Sequence, residues 1–110
     1  MEAINFSYNW NNKLQCNSFT TLRLKSNKYQ LGKDYEIILS DKKESNSFGP
    51  CKIEGIRNMR LEHLNEYIAR IDTGYGLNQC VHILKTMYKS KNINWEKQEL
   101  SLILLTKIKA

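Results

Sequence analysis

Apolar and polar side chains alternate most clearly along the seven residues that begin at Phe19, a stretch that also contains two successive threonines. This period of two predicts a strand whose Leu22 and Leu24 point to one face. Phe19, Thr21 and Arg23 then point to the other face. Because a strand holds a guanidinium in one orientation, Arg23 is better placed to read a ligand there than on a loop. The alternative interpretation is a half-exposed strand with an ordinary polar face.

The same pattern predicts four more strands, at residues 3–8, 34–40, 51–57 and 99–109. In the last of these, apolar side chains occupy both faces except at Ser101, which predicts a covered strand in the middle of a sheet or barrel wall. Gly55 interrupts its strand and predicts a β-bulge or a close approach of another backbone segment. Residues 41–50 have no apolar period, so they are predicted to form an exposed and mobile hairpin loop.

Helical periodicity begins at Leu61. The apolar residues recur at the spacing of one helix face, which predicts an amphipathic helix; they are Leu61, Leu64, Ile68 and Ile71. A corner at residues 72–76 then leads into a second helix. Its predicted buried face is Leu77, Cys80, Val81, Leu84, Met87 and Tyr88. Together these elements predict an α+β fold, a small mixed β-barrel of about five strands with two helices inserted before the last strand.

Composition limits the classes of protein that fit. With 110 residues and 41% hydrophobic content, the chain is expected to form a single domain, residues 1–110. The formal charge of +6 favours anionic partners. Three widely spaced cysteines, Cys16, Cys51 and Cys80, predict neither a disulfide framework nor a zinc site, and they fit a reducing cytoplasm.

Other classes are disfavoured by patterns that the sequence lacks. The longest apolar run, residues 102–105, is too short to cross a bilayer, and residues 1–8 have no signal-peptide pattern, so we expect a cytoplasmic protein without membrane contacts. No glycine-rich phosphate loop follows a predicted strand, which argues against a nucleoside triphosphatase. We expect no cofactor and no metal ion, since His63 and His82 have no acidic or cysteine neighbour at ligand spacing.

The order of these elements and three short motifs resemble the ASCH family, a small domain related to the PUA fold. Residues 21–23, Thr-Leu-Arg, are similar to the family's T-x-R strand. Residues 31–34, Leu-Gly-Lys-Asp, are similar to its glycine turn, and residues 53–59 to the strand before its helices. The resemblance covers most of the chain and implies a PUA-like barrel with a cleft between barrel and helices. It also implies that the cleft binds RNA or modified nucleosides.

One branch of that family hydrolyses acetylated cytidine, and its motif runs G-x-K-x-x-T-x-R. When Thr21 and Arg23 are matched to the motif, Cys16 stands at the glycine and Ser18 at the lysine. A hydroxyl supplies neither the amine nor the positive charge of a lysine unless a base activates it. The branch's acidic catalytic residue falls near Asp72. The resemblance therefore implies binding more than amidase activity, with Ser18, Thr21 and Asp72 as the candidates for catalysis.

Arg23 and Thr21 are the first two predicted ligand-binding residues. Arg23 can address a phosphate or a carbonyl edge with two donors at once. Its alternative role is an ion pair with Glu36 or Glu54. Thr21 offers a hydroxyl to the same ligand, and its alternative role is structural.

Asp72 and Tyr75 complete the predicted ligand-binding set. Both lie in the predicted corner between the helices, where Asp72 can accept a hydrogen bond from the exocyclic amine of a base and Tyr75 can stack on the base. The alternative interpretation is an ordinary turn. A positive rim for a nucleic-acid backbone is also predicted, with Trp95 as a stacking platform; the alternative is solvated surface. The rim candidates are Lys52, Arg57, Arg60, Lys85, Lys89 and Trp95, with Lys91 and Lys97 beside them.

Three hypotheses for function follow. The leading one is a module that binds RNA or a modified nucleoside in a cleft between residues 21–23 and residues 72–75. The first alternative is an amidohydrolase that acts on acylated nucleosides such as acetylcytidine. The second alternative is a protein-interaction module that uses the basic face of the helices.

Overall fold

The computed structural model describes residues 1–41 and 43–108. Within those residues it contains five strands: β1 (Ala3–Phe6), β2 (Ser18–Leu24), β3 (Asp34–Ser40), β4 (Ser45–Arg60) and β5 (Glu99–Lys107). Two helices, α1 (Glu66–Thr73) and α2 (Leu77–Met87), lie between β4 and β5. Short 3₁₀ turns occupy Trp10–Gln15 and Leu61–His63. The predicted α+β fold, with five strands and two helices before the last strand, is confirmed.

The strands form one mixed sheet in the order β1-β3-β4-β5-β2, which curls into a half-barrel. β1 pairs with β3 in parallel, and the other three pairings are antiparallel. The two edge strands, β1 and β2, face each other across an open seam. Side chains of the two strands meet across part of this seam: the rings of Phe6 and Phe19 lie 6.2 Å apart, and the guanidinium of Arg23 lies 4.5 Å from the centre of the Phe6 ring.

The central position predicted for the last strand is confirmed, since β5 pairs with β4 on one side and β2 on the other. Its Leu100, Ile103 and Leu105 are fully buried. The predicted bulge at Gly55 is also confirmed, because the register between β4 and β5 shifts between Ile53 and Gly55. Lys109, the final residue of the predicted strand, lies outside the described residues.

The sheet separates two hydrophobic cores. The inner core, inside the half-barrel, consists of Ile4, Phe6, Leu14, Phe19, Tyr35, Ile37, Cys51, Ile53, Ile103 and Leu105. The outer core, between sheet and helices, consists of Leu22, Met59, Leu64, Ala69, Cys80, Leu84 and Leu100. β2 contributes to both, with Phe19 in the inner core and Leu22 in the outer core. This strand is therefore held from both faces, which fixes the direction of the side chains between its anchors.

The predicted loop at residues 41–50 is wrong over its second half. β4 begins at Ser45, and its polar first residues pair with the end of β3, where Ser40 faces Ser45 and Ile38 faces Ser47. Backbone hydrogen bonds form this ladder without an apolar side-chain pattern, which is why periodicity missed it. The register shifts between Glu36 and Ile38, opposite Gly49, whose φ of +87° is a left-handed conformation that glycine tolerates.

The first predicted helix begins later and buries a different face. The Asn65 side chain accepts a hydrogen bond from the Ile68 amide at 2.9 Å and starts α1 at the next residue. Ile71, predicted to face the core, is 64% exposed, whereas Asp72 is 5% exposed. Asp72 can occupy the buried face because Lys13 compensates for its charge there. Among the described residues, no helix is long and apolar enough to cross a membrane.

Candidate ligand-binding site

A cavity of about 220 Å³ lies where the open seam of the half-barrel meets the helices. We call it the seam cavity. It is lined by Asn5, Phe6, Ser7, Trp10, Lys13, Thr21, Leu22, Arg23, Ser40, Asp72, Thr73, Ile83, Leu84 and Met87. The wall from α2 is apolar, while hydroxyl, amide and charged groups come from the strands, the Trp10–Gln15 turn and the end of α1. An apolar enclosure with a few convergent polar groups is typical of a small-molecule site.

Lys13 supplies a buried cation that the sequence analysis did not select. Its side chain is 6% exposed, and its Nζ donates to the main-chain carbonyl of Asp72 at 2.9 Å and to Asp72 Oδ1 at 3.0 Å. Thr20 also donates to Asp72 Oδ1, at 2.9 Å. The matched motif position for a lysine holds Ser18, but the fold brings a lysine to the cavity from a different segment.

The Trp10–Gln15 turn holds Lys13 through an unusual backbone. Asn11 and Asn12 have φ values of 57° and 53°, in the left-handed region where asparagine is more tolerated than most residues. Gly74, with φ of +80°, ends α1 so close to this turn that an added Cβ would lie 3.1 Å from Asn11 Cγ. Asn9 Oδ1 accepts from the Leu14 amide at 3.0 Å. Asn9 thus closes the turn on itself, and Asn11 packs it against the end of the helix that carries Asp72.

Burial changes the ionisation of the groups around this pair. Desolvation lowers the pKa of Lys13 from its ordinary value, and the neighbouring Asp72 carboxylate opposes that change. Burial, together with the same carboxylate, raises the pKa of the Cys80 thiol to about 11. Cys80 is therefore a neutral thiol at physiological pH, and the lysine amine loses its proton more readily than one in water.

Arg23 is positioned by two neighbours. Its Nε donates to Thr21 Oγ1 at 2.9 Å, and its guanidinium packs on the Phe6 ring. Among the described residues it forms no ion pair with a carboxylate, so the alternative role beside Glu36 or Glu54 is not observed; Glu36 instead accepts from Ser47. The side chain stays partly buried and lines the seam cavity.

The structure brings three of the predicted site residues together. Thr21, Arg23 and Asp72 all line the seam cavity. Tyr75 lies outside the lining, 40% exposed, with its ring edge-to-face against Trp10 at 6.2 Å. Ser18 is exposed and shares a hydrogen bond with Thr106 Oγ1 at 2.9 Å, away from the cavity.

The predicted rim residues are spread over the surface and do not line the seam cavity. Lys52 pairs with Asp34 at 2.8 Å, and Arg60 pairs with Glu62 at 2.8 Å. Since strands rise about 3.3 Å per residue, Lys52 and Arg60 are roughly 26 Å apart along β4. Other candidates lie elsewhere: Arg57 borders a shallow depression on the sheet, Lys85 and Trp95 border another beside α2, and Lys89 is exposed after α2.

Sequence reasoning missed Lys13 because its segment has no apolar period. One signal was available: Asp72 stands four residues after Ile68, on the side of the helix that the pattern assigned to the core. A carboxylate on a buried face needs a cationic or hydrogen-bonding partner. Lysines outside the predicted strands and helices, such as Lys13, were candidates for that partner.

No protein-family model, curated protein or solved structure matches this chain. Over residues 1–41 and 43–108, no cluster of three histidine, cysteine, aspartate or glutamate side chains is arranged to hold a metal ion.

Proposed function

We propose that this protein binds RNA or a modified nucleoside, with one base in the seam cavity. The observation that carries the proposal is the pair of cations at this site: Arg23, held in place by Thr21 and Phe6, and the buried Lys13. Both side chains line one small space, and cationic groups in such a space fit the carbonyl edge of a base or an anionic group.

The size of the seam cavity supports a single base or a small nucleoside. Its volume of about 220 Å³ lies below the roughly 300–1,000 Å³ typical of sites for drug-sized ligands. Apolar contacts from Ile83 and Met87 suit the flat face of a base, and Asp72 is available as an acceptor for an exocyclic amine. A longer nucleic acid would have to continue outside the cavity.

Titration calorimetry with cytidine and N4-acetylcytidine tests this proposal. Arg23→Ala is expected to weaken nucleoside binding by about 10- to 100-fold, because a hydrogen bond to a charged group contributes roughly 1.5–3 kcal/mol. Arg57→Ala is the matched control, since Arg57 is exposed and lies outside the seam cavity. Equal affinities of Arg23→Ala and the unaltered protein, or no binding of either nucleoside, would contradict the proposal.

The rim residues have a role only if the ligand is RNA, because a free nucleoside has no phosphate backbone for them to contact. If they contact the backbone, log K for an RNA oligonucleotide falls linearly with log salt, by about 0.7 for each phosphate contact on a single strand. Arg57→Ala then reduces that slope without changing nucleoside affinity. An unchanged slope would show that Arg57 does not contact the backbone.

Lys13 favours a second candidate, an amidohydrolase that acts on acylated nucleosides. The resemblance to the acetylcytidine branch called for a lysine, a threonine and an acidic group, and Lys13, Thr21 and Asp72 all line the seam cavity. Water would cleave the amide to give acetate and the free base amine. The lowered pKa of Lys13 makes its neutral amine more available as a proton acceptor.

Incubation with N4-acetylcytidine followed by chromatography separates the two candidates. An amidohydrolase is expected to release cytidine, and Lys13→Gln should slow that release by at least about 100-fold if the amine transfers the proton. Lys52→Gln is the control on an exposed lysine. Binding without cytidine release would support the leading proposal and reject this one.

A further inference from the structure

A second depression adjoins the seam cavity. It has a volume of about 270 Å³ and is lined by Ser7, Tyr8, Asn9, Asn12, Leu39 and Asp41. Ser7 lines both spaces, so they meet across the segment that follows β1. We call this depression the Tyr8 hollow.

Aromatic side chains connect the two spaces. Tyr8 is 55% exposed, and its ring centre lies 4.5 Å from that of Trp10, which lines the seam cavity. Tyr75 contacts the other side of this group, with its ring 6.2 Å from that of Trp10. A tyrosine this exposed has a ring face available for stacking, and base stacking on an aromatic side chain tolerates every base.

The polar groups of the Tyr8 hollow favour a base over a phosphate. Asp41 Oδ1 accepts hydrogen bonds from the Lys43 and Glu44 amides, each at 2.8 Å, and these bonds lower the pKa of Asp41. Its carboxylate is therefore ionised, so it repels a phosphate and accepts hydrogen bonds from the exocyclic amines of adenine, cytosine or guanine. Leu39 provides an apolar contact for the ring.

We propose that the Tyr8 hollow binds the base next to the one in the seam cavity, so that the ligand is single-stranded RNA of at least two nucleotides. This inference depends on the proposed function of the seam cavity. In it, Tyr8 stacks on the neighbouring base and Asp41 accepts from its amine. The ribose and phosphate between the two bases pass over Ser7, which borders both spaces.

Calorimetry with a free nucleoside and with dinucleotides tests the inference. The probes are N4-acetylcytidine and two dinucleotides that place adenosine on its 5′ or its 3′ side. One dinucleotide should bind more tightly than the nucleoside by about 5- to 100-fold, the usual effect of one stacked base. Tyr8→Ala should abolish that gain while leaving nucleoside affinity unchanged, and Tyr8→Phe should retain it.

Tyr67→Ala is the matched control, because Tyr67 is 80% exposed on α1 and lines neither space. Replacing adenosine by uridine should reduce the gain, and Asp41→Asn should remove that discrimination. If the nucleoside binds but neither dinucleotide binds more tightly, or if Tyr8→Ala keeps the gain, the second base site is overturned and the seam cavity stands. If no probe binds, the proposed function and this inference both fall.

Discussion

Two lysine–carboxylate pairs of nearly equal length lie in opposite surroundings. Lys13 and Asp72 are 3.0 Å apart with side chains 6% and 7% exposed. Lys52 and Asp34 are 2.8 Å apart with side chains 47% and 42% exposed. The exposed pair contributes little to stability, while the buried pair must overcome the removal of two charges from water. Apolar residues can often replace a buried ion pair without loss of stability. The Lys13–Asp72 pair is therefore consistent with the proposal that the seam cavity beside it binds a ligand.

The largest expected effect is loss of one partner from the buried pair. Asp72→Ala should lower the free energy of unfolding by about 3–5 kcal/mol, because it leaves the Lys13 charge buried without compensation. Asp34→Ala, the same change in the exposed pair, should cost about 0–1 kcal/mol. Urea denaturation followed by circular dichroism measures both. Similar losses in the two variants would show that burial does not distinguish the pairs.

A smaller effect is expected when both buried partners become apolar. Lys13→Met combined with Asp72→Leu should leave the free energy of unfolding unchanged or raise it by about 1–4 kcal/mol, because neither charge is then desolvated. Nucleoside binding should be lost in the same protein. The control is Lys52→Met with Asp34→Leu, which should keep binding. A double variant as unstable as Asp72→Ala would mean that the pair itself is needed for folding.

The smallest expected effect is on the pH dependence of stability, and it compares a buried cysteine with an exposed one. Cys80 is buried beside Asp72, and its pKa rises from 9.0 to about 11, whereas Cys16 is exposed. Between these pH values the unfolded thiol loses its proton while the folded one keeps it, so stability falls as pH rises. From pH 8 to pH 10 the unaltered protein should lose about 1 kcal/mol relative to Cys80→Ala.

Chemical denaturation at several pH values measures this difference, and Cys16→Ala is the control that should show none. The contribution of Lys13 to the pH dependence of stability has the opposite sign. Because its pKa is lowered in the folded protein, this contribution makes stability rise as pH increases toward 10.5, the ordinary pKa of lysine. That contribution is present in both proteins, and only the Coulomb interaction between Lys13 and Cys80, the smallest of the causes acting on either group, differs between them. A difference between Cys80→Ala and the unaltered protein that does not change with pH would contradict the burial argument.

The fold was predictable where an alternating or continuous apolar pattern accompanies burial. β2, β3 and β5 followed from their patterns, since each presents apolar residues to a core. The start of β4 was not, because residues 45–50 are held by backbone pairing with β3 and carry mostly exposed side chains. Hydrogen bonds between main chains leave no trace in hydrophobic periodicity.

The candidate site was predictable only in part, for a related reason. Thr21 and Arg23 share a strand face, so sequence spacing alone places them together. Lys13 meets Asp72 across 59 residues of chain, through a turn whose left-handed backbone at Asn11 has no strong sequence signature. Contacts between distant segments depend on tertiary packing, which local pattern does not encode.

The position of β2 at the edge of the sheet has a consequence for how the protein is made. Its ladder is with β5, and Ser18 and Thr106 at one end of that ladder are 88 residues apart in the chain. During synthesis the strand carrying Thr21 and Arg23 therefore waits unpaired until β5 has left the ribosome. Such long-range pairing is slow to form, so a nascent chain that stops before β5 should lack the ordered strand on which the proposed nucleoside site depends.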